Sequence, residues 1–167
     1  AEQVEAIKAL GYDIAPWSWL NEALDDGTER IHAMFRKTPQ GNISPHWSID
    51  QQQWYHICYS FLVDNQKAAL NSVISDMTWD HFDVLSCVPG IECYAHDHPH
   101  HLNRPMSRSE SKEWVRRVFR LDQQAGRIVS SENFNDAFTL EYDLGSVKAW
   151  PQYGNWPYWP VPLTSLV

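Results

Sequence analysis

Apolar positions recur at helical spacing through most of the chain and at alternating spacing only toward its C-terminal end. Val4, Ile7 and Leu10 followed by Gly11 predict a short helix over 2–10. Pro16 stands at a helix start with Trp17, Leu20 and Leu24 as its stripe, and Thr28 caps a helix carrying Ile31, Met34 and Phe35. Residues 38–45 hold Pro39, Gly41 and Pro45 and form a loop. Ser48 and Gln51 make a capping-box pattern ahead of Trp54, Ile57, Cys58, Phe61 and Leu62, which match an amphipathic helix. Further helical runs carry Ala69, Leu70, Val73, Ile74 and Met77, then Trp79, Phe82 and Leu85 behind a Thr78 cap, ended by Pro89-Gly90. Ser107 and Glu110 open another helix with Trp114, Val115, Val118 and Phe119 inward, stopped by Gly126.

From there the period becomes two. Residues 127–131, 137–143 and 146–150 read as strands, the last two joined at Leu144-Gly145. Residues 150–167 hold Pro151, Pro157, Pro160 and Pro162 among aromatics, which excludes helix and interior strand and predicts an extended strap. The expected fold is α+β in a single domain over 1–167. It has about six helices, then a small antiparallel sheet and an extended Pro/Trp-rich tail.

Composition narrows the function. The net charge of −8 argues against nucleic acid as a partner and suits recognition of a basic protein. Nine tryptophans supply a core with polar handles or an aromatic binding surface. No apolar run reaches the roughly 20 residues that span a bilayer, so no membrane partner is expected. The first residues carry no leader pattern and the three cysteines do not pair evenly, so a reducing, cytoplasmic setting is expected.

The densest chemistry is His96-Asp97-His98-Pro99-His100-His101, just after Cys87 and Cys93. Imidazole and thiolate both suit zinc, so His96, His98, His100, His101 and Cys93 are the candidate ligands. A catalytic ion would need a nearby general base, for which Asp97 is a candidate with Asp80 and Glu92, and His98 is a second catalytic candidate. The spacing matches no standard zinc finger. The run also departs at His100 from the His-x-His-x-Asp-His pattern of metallo-β-lactamase-type hydrolases, and no family is assigned. Cys58 falls on an apolar stripe and reads as a buried, inert thiol.

Two function classes follow. One is an acidic protein-binding domain of immunity, inhibitor or adaptor type, anchored by Trp156, Tyr158 and Trp159. The other is a small zinc-dependent hydrolase or lyase centred on the histidine cluster. A metal-free acid–base enzyme with an aromatic pocket is the third.

Overall fold

The structure is a computed structural model, and it describes residues 2–71, 76–87, 90–132, 136–138 and 140–146. In chain order the elements are α1 (Glu2–Ala9), β1 (Trp17–Ser18), β2 (Glu22–Leu24), α2 (Glu29–His32), β3 (Pro45–Ile49) and β4 (Gln52–His56). A 3-10 turn (Tyr59–Phe61) leads into α3 (Leu62–Leu70), followed by β5 (Trp79–Phe82), α4 (Arg108–Gln124), β6 (Ile128–Glu132), a second 3-10 turn (Asp136–Phe138) and β7 (Leu144–Ser146).

The expected helical body is therefore corrected. The described residues hold four helices and two sheets, one of four parallel strands in the order β1-β5-β6-β7 and one of three antiparallel strands in the order β2-β4-β3. The expected helix behind Ser48 is a hairpin instead. Ile49 pairs with Gln52, and the two residues between them, Asp50 and Gln51, both have positive φ (48° and 65°). That is the turn a tight hairpin requires, and the aromatic run behind it suits a strand as well as a helix. Trp79–Phe82 likewise forms a strand, with Asp80 and Phe82 turned inward in alternation, and four residues are too few for apolar spacing to separate strand from helix. The Leu144-Gly145 pair expected to turn a hairpin lies inside β7, which runs parallel to β6. The expected strap over 150–167 lies outside the described residues, as do Val73, Ile74 and Pro89.

Helix α4 forms where the pattern puts it. Ser107 accepts from the Glu110 N–H, and the Glu110 carboxylate accepts from the Ser107 N–H. Ser111, Val115, Val118, Phe119 and Asp122 make its buried stripe. Gly126 (φ 76°) follows the last turn.

The parallel sheet has helices on one face. Phe82 of β5 meets Phe119 of α4, and Val129 of β6 joins them in a core with Leu62, Val115, Val118, Phe138 and Tyr142. Asp80, between these apolar positions, accepts from Gln66 of α3 at 2.8 Å and from Ser18 at 2.5 Å. On the opposite face His81 stands edge-on to Trp17 (5.2 Å between centroids) and bonds Ser130 Oγ at 2.9 Å. Trp17, Ile128 and Leu144 are exposed there. The three-stranded sheet rests on its own small core of Ile31, Met34, Phe35 and Ile57.

Candidate functional site

Residues 93–106 close into a loop through the mutual backbone bonds of Cys93 and Met106 (3.2 and 2.8 Å). Within it the His101 N–H bonds the His98 carbonyl and the Asn103 N–H bonds the His96 carbonyl, so the segment is coiled rather than extended. Coiling sorts the four histidines. His98 and His101 turn inward and are buried, while His96, Asp97 and His100 are exposed. His100 lies against Trp114 and near Asp64.

Cys58, immediately ahead of the 3-10 turn that opens α3, meets the two inward rings. Cys58, Cys93, His98 and His101 are all buried, and one ligand atom from each lies within 4.8 Å of the others. Cys58 Sγ is 3.3 Å from His101 Nε2, and Cys93 Sγ is 3.6 Å from His98 Nδ1. A tetrahedral zinc ion with Zn–S of about 2.3 Å and Zn–N of about 2.05 Å separates sulfur from nitrogen by about 3.6 Å. The spacing thus fits a four-coordinate ion. His101 Nδ1 bonds the Arg104 carbonyl at 3.0 Å, which fixes the tautomer that leaves Nε2 free as a ligand.

The charges agree with this. Cys93 is held down to about 4 by the Cys58 S–H aimed at it, with His98 and the backbone N–H groups of Ala95 and Lys37 adding to the effect. Cys58 is pushed up because it keeps the proton of the pair and is buried. A cation between them would release that proton and take two thiolates and two imidazoles as ligands. With all four positions filled by buried protein ligands, such a site is closed, as structural zinc sites are. His96, His100 and the catalytic candidate Asp97 stand outside this cluster. His98 lies within it, buried, with Nδ1 turned toward Cys93.

A second group of residues lies where the parallel strands end. Extending the alternation of β5 and β6 places Asp83 on the side of His81 and Glu132 on the side of Ser130, away from the helices. The register Phe82↔Ser131 carries Asp83 and Glu132 to neighbouring positions, and the Asp83 N–H still pairs with the Ser18 carbonyl at 3.0 Å. Val84, next in the chain, has φ 46°, a strained conformation for a β-branched residue and one that clusters at functional sites. Ser86 ties this turn to β6 by donating to the Glu132 carbonyl at 2.6 Å. Trp19, next after β1, stacks on Trp47 and Trp54 with centroids 5.3 and 5.1 Å away.

Neither Cys58 nor the Asp83/Glu132 pair was singled out by motif. Cys58 is far from Cys93 in the chain, and lone acidic residues at strand ends have no signature until the strands are paired. Trp156, Tyr158 and Trp159, the expected partner anchors, lie outside the described residues.

No protein-family model matches the chain, and no curated protein matches it in sequence. Solved structures do resemble it. The quadruple mutant of the alpha-N-acetylgalactosaminidase NagBb from Bifidobacterium bifidum superposes with a TM-score of 0.77 at 16% identity, covering 94% of this chain and 26% of that one. The GalNAc complex of the same enzyme gives 0.76 at 17% identity over 90% of this chain and 24% of the other. TtGalA, an alpha-galactosidase from Thermus thermophilus in complex with stachyose, gives 0.55 at 12% identity over 86% and 30%. At these identities the likeness is one of fold, and the chain spans about a quarter of the length of NagBb.

Proposed function

We propose that this chain forms part of the catalytic face of a glycoside hydrolase acting on α-linked galactose-type sugars, braced by a structural zinc ion. The observation that carries the reading is the position of Asp83, one residue past β5, beside Glu132, the last residue of β6, at the C-terminal ends of neighbouring parallel strands where such sheets place their chemistry. Glycoside hydrolysis uses a pair of carboxyl groups, one protonating the leaving oxygen and the other acting as nucleophile or base. Adjacent strands lie about 4.8 Å apart, which favours the close pairing of retaining enzymes over the wider pairing that leaves room for water. The stacked Trp19, Trp47 and Trp54 provide aromatic surface near this face. Similarity of fold to an alpha-N-acetylgalactosaminidase and an alpha-galactosidase is the reason this sugar class is proposed.

Zinc at Cys58, Cys93, His98 and His101 ties the long β5–α4 loop to the start of α3. Its part is to hold the loop that follows Asp83, not to activate water, because no coordination position is left open.

The test is hydrolysis of p-nitrophenyl α-galactoside and α-N-acetylgalactosaminide by the protein and by its D83N and E132Q variants. Activity lost in both variants with zinc content unchanged supports the reading. Activity retained in both removes it.

A further inference from the structure

The small sheet carries a second convergence of ligand atoms, separate from the cysteines. Glu22 of β2 and His56 of β4 are direct partners across the sheet. On strict alternation His46 and Trp47 of β3 would face opposite sides. The pairing is irregular, however: Pro45 pairs with Tyr55 and Ser48 with Gln53, so His46 and Trp47 together oppose Trp54. This bulge brings His46 to the face that holds Glu22 and His56 and also keeps Trp47 there. The His46 and His56 rings lie 4.1 Å apart, and His46 Nδ1 is 2.6 Å from Glu22 Oε1. One ligand atom from each of the three residues lies within 4.8 Å of the others.

We propose that Glu22, His46 and His56 form a second metal site, open to solvent, for a divalent first-row transition ion. Two imidazoles and one carboxylate are a donor set for such ions that leaves coordination positions for water or a ligand oxygen. His56 Nδ1 is buried and has no hydrogen-bond partner among the described residues, an unmet need that a metal would supply. Glu22 is aimed by its neighbours, since Trp47 Nε1 donates to Oε2 and Asn21 Nδ2 donates to Oε1 at 3.2 Å. Access is from the His46 side, where the ring is 38% exposed while the Glu22 side chain is 1% exposed. The site needs neither the glycosidase reading nor the cysteine tetrad.

The experiment is a titration of chelator-treated protein with Co²⁺, followed by elemental analysis and by absorption. Two equivalents per chain are expected, one giving thiolate-to-cobalt charge-transfer bands and one without them. H46A and E22Q should bind one equivalent with the thiolate bands intact, and H46A, altered at an exposed position, serves as the arbiter of folding. A single equivalent that carries the thiolate bands overturns the proposal, as does a content of bound cobalt that H46A leaves unchanged, whereas a single equivalent without those bands that H46A abolishes supports this site and removes the tetrad instead.

Discussion

Cys58 and His101 meet at 3.3 Å, joining the start of α3 to a loop that leaves the sheet after β5. Cys58 alone among the four comes from outside the loop, so it decides whether the loop is anchored to α3. C58A should leave less than one zinc per chain in untagged protein. Structural zinc contributes about 10 kcal/mol or more in small zinc-finger peptides, and this domain also has an apolar core to fall back on. Chelation of the unaltered protein should therefore lower Tm by at least about 5 °C rather than unfold it outright. An unchanged melting curve after zinc removal would refute the bracing role.

Gly90 lies ahead of the same loop, with φ 95°, and a Cβ there would come 2.6 Å from the Arg108 carbonyl oxygen. Because that neighbour is backbone at the first turn of α4, it cannot swing aside. G90A should lower stability by more than about 1 kcal/mol in denaturant titration. A shift within error would show that the loop is free to move off the helix.

Asp122 is a buried acid whose ionisation is displaced upward, to about 7, by burial and then by Asp80. Gln66 Nε2 donates to both carboxylates at 2.8 Å, and Arg127 Nε stands 3.8 Å from Asp122. The folded value lies above the unfolded one of roughly 3.9, so the stabilisation is complete below that pH and is lost as pH rises through about 7. Stability should fall between about pH 4 and 7 with a slope of up to about 1.4 kcal/mol per unit from this group. D122N should flatten that slope, as read from urea midpoints across the range.

At the head of α4, Arg104 holds Glu110 down to about 2, with the Ser107 N–H assisting. S107A removes the cap and should destabilise by about 1 kcal/mol. Substituting the exposed Ser109 should change the denaturation midpoint much less.

If Asp83 and Glu132 act as nucleophile and acid, proton NMR of the first-formed sugar should show the α-anomer retained. Release of the β-anomer would assign the pair to the inverting arrangement and contradict the close spacing of their strands.

Local chemistry made some of this readable from residue order alone. The Ser107/Glu110 box, the Thr28 cap and the Gly126 stop are satisfied by neighbours in the chain, so α2 and α4 begin where their side chains dictate. The histidine-rich segment also marked candidate ligands, of which Cys93, His98 and His101 lie in the buried cluster. Tertiary structure decided the rest. Trp79, Phe82 and Leu85 recur at helical spacing, and only pairing partners separate Trp79–Phe82 from a helix. Only coiling of the loop could choose His98 and His101 over His96 and His100. Only the packing of α3 against it could bring in Cys58, because proximity across a core leaves no mark on spacing along the chain.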